Sequence, residues 1–488
     1  MIDIKTKIHD RFSIEFKVGF VARRKMRKND FTVGVWLFVP SSLDINPATY
    51  TKHDFYKDVK SNIRLITPHF LLRDIVGGEA IPFRKLTEAA GAMASDPTRT
   101  HIAAWEYHVK LFAAIVKSAL RDETEYALSR STAVETARLA NRFAGNMHEI
   151  LEKYYSVHDI IDTPTAQVSD ALRMFEYCGE FICKNGLRYA MKFISVIDRD
   201  GIGDVEHCRE SIVQIVHEIQ AICAERDYAP LKEGDGRTNA SYIHRHRTLK
   251  RLVESQLFLR FPKRRDGVVA EQAWYSVAAG VAMLFATVIA WAFQRTFGNL
   301  TWPLFIALII SYMMKDRIKE LMRFWFAHRV GTKYYDNKAK VSFDGKQIGW
   351  LKEGMDFIAQ DKVPAEVTAI RSSGPLFEAD PRVRNENVIL YRKRVHIDRE
   401  KMEEGVGYVF NGINDIFRLQ VQSFLRMMDN PEEVIPYLDA DGAVRSVVCP
   451  KEYHLHCVLQ YNHAGETDYK HFRIVLRRDG IQSIREVD

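Results

Sequence analysis

AWYSVAAGVAMLFATVIAWAF, Ala273 to Phe293, and FGNLTWPLFIALIISYMM, Phe297 to Met314, are two apolar runs without a single Asp, Glu, Lys or Arg, separated by Gln294, Arg295 and Thr296. The first run has 21 residues; as a helix it reaches about 31 Å, the thickness of a bilayer's hydrocarbon core. The second begins its helix near Thr301, with Pro303 in the first turn, where a missing N–H leaves nothing unsatisfied. One ionised side chain at mid-helix costs roughly 2.5–3.5 kcal/mol on insertion, so the absence of any is informative. Trp274, Tyr275, Trp291, Trp302 and Tyr312 fall near the ends of the runs, as an interfacial aromatic belt requires. The pair reads as a transmembrane helical hairpin spanning 273–314.

Basic residues flank it on the outside. Arg245, Arg247, Lys250, Arg251, Arg260, Lys263, Arg264 and Arg265 precede it, Lys315, Arg317, Lys319, Arg323 and Arg329 follow it, and only Arg295 lies between the runs. Because Lys and Arg are retained in the cytoplasm, the expectation is a two-pass protein of the plasma (inner) membrane with both termini cytoplasmic and the turn 294–300 outside. The formal charge of +7 is concentrated beside these runs, where each basic residue near an anionic leaflet adds about 1 kcal/mol. Lys263, Arg264, Arg265, Lys315 and Arg317 are therefore candidate contacts for anionic lipid headgroups, and nucleic acid is the weaker explanation of the charge.

The remainder of the 488 residues is polar enough to fold in water, and long enough for two or three domains. MIDIKTKIHDRF at the start has no apolar core, which argues against a cleavable signal and leaves insertion to the internal hairpin. Six scattered cysteines, Cys178, Cys183, Cys208, Cys223, Cys449 and Cys457, read as reduced thiols.

Periodicity divides the chain further. In 1–80, Ile14, Phe16, Val18 and Phe20 alternate with polar residues and FTVGVWLFV follows a basic turn, which predicts a β-hairpin over 12–39. Two strands are not stable alone, and the C-terminal sheet is a candidate to receive them. From 81 to 265 the pattern becomes helical, with helices predicted at 99–127, 131–160, 165–197, 205–227 and 240–260, broken by Pro/Gly/Asp punctuation. Ile212, Ile215, Val216, Ile219 and Cys223 mark the core face of the fourth. The C-terminal region 315–488 predicts a hairpin around Asp344 and Gly345, a strand at 388–397, a helix from Gly412 to Met428, and strands at 452–462, 468–478 and 481–487. The fold class is thus an α+β membrane protein: a helical bundle, antiparallel β-sheet at both ends of the chain, and the transmembrane hairpin.

Strand alternation defines a candidate binding surface. Tyr453, Leu455, Cys457, Leu459 and Tyr461 share one face, and His454, His456 and Gln460 the other. Phe472, Ile474 and Leu476 likewise oppose His471, Arg473 and Arg477, and Arg392, Arg394 and His396 repeat the theme. In one sheet, His454, His456, His471, Arg473, Arg392 and Arg394 would form a face for phosphate, anionic lipid or an acidic partner, with the apolar side resting on the 412–428 helix. The plainer alternative is an ordinary solvated face.

Other chemistry finds little support. Cys449, His454, His456 and Cys457 lack tetrahedral zinc spacing, and alternation turns Cys457 away from the histidines. DRDGIGDVE at 198–206 lacks two ligands of a calcium loop and reads as a turn between helices. No Walker A loop, dinucleotide fingerprint, nucleophile elbow or HExxH is present, and nothing calls for a metal or cofactor.

Three functions are compatible with this inventory: a membrane-anchored cytoplasmic scaffold or sensor, a membrane-tethered enzyme acting on an anionic or phosphorylated substrate, and a subunit of an oligomeric channel or transporter. The first accounts for the hairpin, the basic flanks and the missing motifs, and implies a cytoplasmic protein partner. The third lacks the intramembrane ionisable residue that marks ion pathways. Ala278, Ala282, Ala286 and Ala290 form a small-residue stripe suited either to a homo-oligomer or to Ala307 and Ser311 of the second run, and the latter is preferred.

Overall fold

The computed structural model describes residues 2–21, 28–77, 80–129, 132–164, 170–200, 206–298, 301–325, 334–343, 345–373, 385–403, 408–463 and 465–487. The 201–205 part of the supposed calcium-loop turn, Asp344, the end of the 294–300 turn and Arg329 lie outside these. The described residues divide into two compact units, one drawn from 1–64, 259–407 and 412–488 and the other from 65–258 and 408–411.

The first unit is a β-sandwich. Strands β1 (Ile2–Asp10), β2 (Ser13–Val21), β3 (Lys28–Pro40), β4 (Val59–Leu65), β5 (Lys263–Arg265), β6 (Asn337–Phe343), β7 (Lys346–Ile358), β8 (Glu386–Asp398), β9 (Gly412–Gln420), β10 (Glu432–Leu438), β11 (Val444–Pro450), β12 (Tyr453–His463), β13 (Glu466–Arg477) and β14 (Gly480–Val487) build three sheets. The largest has the order β14-β13-β12-β3-β8-β7-β6-β5, the second β1-β2-β9-β4, and β10-β11 stand alone.

Two expectations are corrected here. The region 12–39 does not form a hairpin: β2 pairs with β1 and β9, whereas β3 lies between β8 and β12 in the other sheet. Its central place explains why FTVGVWLFV is apolar on both faces rather than alternating. The stretch 412–428 is not one helix. Its first nine residues are β9, central in the smaller sheet, and only Gln422–Arg426 is helical. Ile413, Phe417 and Leu419 alternate as a strand requires, but buried Asp415 sits on the same face and masks the period. Gly412 opens the strand at φ +155°, where a Cβ would lie 1.9 Å from the Phe20 carbonyl oxygen.

Because Phe16 meets Phe417 and Phe472, and Tyr391 meets Phe417, the two sheets pack face to face through an aromatic core. The apolar side of β12 and β13 therefore rests on a sheet containing residues 412–420, in place of the expected helix. The predicted strands at 388–397, 452–462, 468–478 and 481–487 correspond to β8, β12, β13 and β14.

The second unit is a bundle of α1 (Ile81–Ser95), α2 (Arg99–Ser129), α3 (Ala133–Ser156), α4 (Ala171–Asp200), α5 (Glu206–Glu225) and α6 (Gly236–Glu254). The last five follow the predicted helices to within a few residues at most ends, and Ile212, Ile215, Val216 and Ile219 are buried as their spacing requires. Trp105, Phe112, Phe143, Tyr154, Phe175, Phe181 and Phe193 fill its interior.

Helices α7 (Val268–Phe297) and α8 (Trp302–Trp325) follow. They pack antiparallel: Ser311 Oγ donates to the Ala286 carbonyl at 3.3 Å, and Trp274 meets Trp325 edge-on at 6.2 Å. Ala278, Ala282, Ala307 and Ser311 are buried between them, so the alanine stripe faces the chain's own second helix. By length and composition α7 can cross a membrane; α8 does not meet that standard, because its uncharged part ends at Met314 and Lys315, Asp316, Arg317, Lys319 and Glu320 follow within the helix.

A cleft at the foot of the apolar helices

The sequence around α7 and α8 ties their ends together. Immediately before α7, β5 pairs with β6, the first described strand after α8: Lys263 lies opposite Ala339 and Arg265 opposite Asn337. Asp266 follows β5 and Gly267 caps α7 at φ +74°, with the Tyr334 ring so close that a Cβ would meet it at 2.9 Å. Glycine is required there on both counts.

This junction opens a cleft of about 520 Å³ lined by Lys52, Tyr56, Arg265, Asp266, Glu271, Tyr275, Tyr334, Tyr335, Asp336 and Asp356 among others. Its charges are arranged in pairs. Lys52 Nζ lies 2.7 Å from Asp336 and 2.9 Å from Asp356, Tyr56 donates to Asp336 at 2.9 Å, and Arg392 reaches Asp356 at 2.7 Å. Burial pulls the Lys52 ammonium down, but Asp336 and Asp356 more than offset it and hold its pKa above the ordinary value. On the helix side, Arg265 pairs with Glu271 at 2.9 Å and Tyr275 donates to Glu271 at 2.7 Å, while Arg323 of α8 lies over the Tyr275 ring at 4.8 Å. Burial raises the Asp266 carboxyl, yet Lys352 at 3.0 Å and Lys338 at 3.5 Å bring it below its usual range.

Behind the cleft, a polar seam runs into the sandwich. Glu353, fully buried, accepts from Tyr391 at 2.9 Å and Asn337 at 3.2 Å and pairs with Lys263 at 2.5 Å. Lys393, also buried, joins Asp415 and donates to Ser61 at 2.6 Å. Buried carboxylates and ammoniums persist in such surroundings only as pairs.

The candidate residues read from the sequence are therefore distributed over three places. Arg265 lines the cleft and Arg392 pairs with one of its carboxylates, while Lys263 is turned inward to Glu353. Arg264 is exposed, Lys315 lies over Tyr312 at 3.9 Å, and Arg317 is exposed beside Glu320. Arg394 lies over Trp350 and 3.8 Å from Asp30, away from the cleft.

The four remaining residues do come together on the outer face of the large sheet, but half of the group is not open. His456 and His471 are 1% and 2% exposed, with His456 Nδ1 3.0 Å from His471 Nε2. Arg473 lies 3.0 Å from His454 Nδ1. The short helix Ala365–Arg371 covers this part of the sheet, packing Val367 on Trp36, Phe38, Val388, Leu390 and Val458. Its buried Arg371 pairs with Glu386 at 2.6 Å. Burial, reinforced by Arg371, His471 and Arg473, pushes the His456 pKa down to about 2. Cys457 lies on the opposite face, and among the described residues no group of three or more His, Cys, Asp or Glu is placed to hold a metal.

Sequence reasoning missed Lys52, Tyr56, Asp336, Asp356, Glu353 and Tyr391. They come from separate parts of the chain, and only YYDN at 334–337, polar and aromatic beside a basic flank, carried any local signal. No family model, curated protein or solved structure matches the chain.

Proposed function

We propose that this protein is a membrane-anchored cytoplasmic scaffold or sensor, held by α7 and α8 as a two-pass hairpin with both termini on the cytoplasmic side of the plasma (inner) membrane. The observation that carries the reading is the pairing of strands from before and after the two helices: β3 with β8 and β12, and β5 with β6. Strands of one sheet share one aqueous compartment, so a chain that enters the bilayer through α7 has to return through α8. The short uncharged part of α8 is accommodated by local thinning and by extension of Lys315, Arg317 and Lys319 toward the headgroups. A second support is the apolar surface that α7 and α8 present outward, including Leu284, Trp291, Ile306, Ile310 and Met313.

In this reading Arg264, Arg265, Lys315 and Arg317 meet anionic headgroups, and the cleft beside Tyr275 opens near the headgroup layer. A cytoplasmic protein partner engages the units outside the membrane. The enzyme alternative loses much of the surface it required, since His456 and His471 are buried under the Ala365–Arg371 helix. The test is extraction of native membranes at alkaline pH combined with reporters fused to each terminus. The intact chain is expected in the pellet with both reporters cytoplasmic; release into the supernatant, or reporters on opposite sides, overturns the proposal.

A further inference from the structure

Between β9 and β12 the chain leaves the sandwich to form the β10–β11 hairpin, which is exposed along nearly its whole length and shows no extensive packing on another element among the described residues. Every residue of β10 is exposed, and of β11 only Cys449 is partly covered. Two-stranded sheets of this kind are marginal in water, yet this one is rich in large apolar side chains. Its register, Val434 opposite Val448, Pro436 opposite Ser446 and Leu438 opposite Val444, separates two faces. One face carries Val434, Pro436, Leu438, Val444, Ser446 and Val448, with no charge beyond Glu432 at its base. The other carries Ile435, Tyr437 and Val447 together with Glu433 and Arg445.

We propose that the uncharged face of this hairpin is the contact through which two copies of this chain pair, each hairpin packing its Val434–Leu438–Val444–Val448 face on that of the other. Three observations carry it. The first is area. Val434, Leu438, Val444 and Val448 are 54–75% exposed; with Pro436 they present on the order of 500 Å² per copy, so a face-to-face pair removes on the order of 1,000 Å² from water, the lower bound for a specific interface. A two-fold pair meets with identical patches, and a patch that is uncharged across its centre does not repel its own copy.

The second is the strand edge. Asp439 N donates to Ala443 O and Lys451 N to Pro431 O, which fixes the hydrogen-bonded pairs at odd-numbered positions of β10. Pro436 consequently lies in a pair whose backbone groups point to the open edge, and it removes the central donor of that edge. Strand addition on the β10 side is thereby blunted, which favours association through the face over that edge. The third is charge. Glu432, Glu433, Asp439 and Asp441 stand against the single cation Arg445 within 432–450, and two of the acids are at the tip, so the hairpin is repelled by an anionic leaflet rather than drawn into it. The proposal does not depend on the two-pass reading of α7 and α8.

The test is the detergent-corrected mass of the full-length protein by light scattering, at micromolar concentration in a mild detergent. Native protein is expected at twice 56.4 kDa, Val444→Glu with Val448→Glu at the single-chain mass with unchanged circular dichroism, and Tyr437→Ser on the opposite face at the dimer mass. If the double glutamate variant fails to fold, Val444→Thr with Val448→Thr keeps the shape, and its dissociation constant should rise at least tenfold. A single-chain mass for native protein, or a dimer that survives both double variants, overturns the proposal. So does strong quenching of a fluorophore on Val444→Cys by spin-labelled lipids in reconstituted vesicles, the result expected of a membrane-seated hairpin.

Discussion

The six helices of the bundle and the pair α7–α8 are built on opposite plans. In the bundle, Trp105, Phe112, Phe143, Tyr154, Phe175 and Phe193 are fully buried. Between α7 and α8 the buried residues are Ala278, Ala282, Ala307 and Ser311, and the large side chains Leu284, Trp291, Ile310 and Met313 face outward. Water rewards the first arrangement because burial of large apolar surface drives folding. Lipid would remove that drive and leave close backbone approach through small residues as the source of helix pairing, which is what the membrane-anchored reading requires of α7 and α8.

The comparison is broken most severely by disturbing the bundle's buried charge. Glu180 is fully buried with Lys184 at 2.6 Å, and Arg245 reaches it at 2.6 Å. Its carboxyl is raised by burial but brought below the ordinary value by Arg245 and Lys184. Glu180→Ala strands the Lys184 ammonium, and unfolding by urea should show a loss of about 3–5 kcal/mol. Next comes Leu284→Arg on the outward face of α7. A cost of about 2.5–3.5 kcal/mol on insertion should shift protein into the alkaline-extractable fraction, whereas Val134→Arg on the exposed face of the bundle should change stability by under about 0.5 kcal/mol. Equal tolerance at the two positions would erase the distinction between the helix sets.

Overpacking sharpens the comparison from the inside. Ala282→Leu places a large side chain where α7 meets α8 and should cost about 1–3 kcal/mol, read as faster proteolysis of the 294–300 turn; Leu284→Ala should leave that rate unchanged. The smallest effect per step is a pH dependence in the sandwich. The pKa of His456 is about 2 in the folded protein against 6.5 for an unperturbed imidazole, so as pH falls below 6.5 the unfolded chain takes up a proton that the folded chain refuses. Stability conferred by the neutral imidazole is complete above pH 6.5 and declines toward pH 2, by about 1.4 kcal/mol per unit. His456→Gln should flatten the unfolding midpoint between pH 6.5 and 5; an unchanged slope would refute the assignment.

Legibility in the sequence followed the same physics. Long helices with a single apolar stripe were readable because 3.6-residue periodicity persists over many turns, and alternation within 453–461 and 471–477 separated Leu455, Cys457, Phe472 and Ile474 from His454, His456, His471 and Arg473 as the strand register does. Residues 412–420 were misread because a strand buried between two others, with Asp415 facing inward, loses its period and borrows one from the short helix after it. The break between β2 and β3 was invisible, since adjacency in sequence favours a hairpin and only the distant partners β9 and β12 decide otherwise. The hairpin 432–450 left no signal because neither of its faces is buried. The cleft was unreadable for a further reason: Lys52, Arg265, Asp336 and Asp356 acquire meaning only through one another.

The position of β3 bears on how the molecule is made. Its neighbours in the sheet, β8 and β12, begin at Glu386 and Tyr453, so for most of translation the emerging FTVGVWLFV segment is an unpaired, aggregation-prone ribbon. Until those partners emerge, both of its edges are open to non-native strand pairing. A ribosome that stalls before residue 453 releases a chain with this ribbon half covered, and turnover of such fragments should depend on the cell's quality-control proteases.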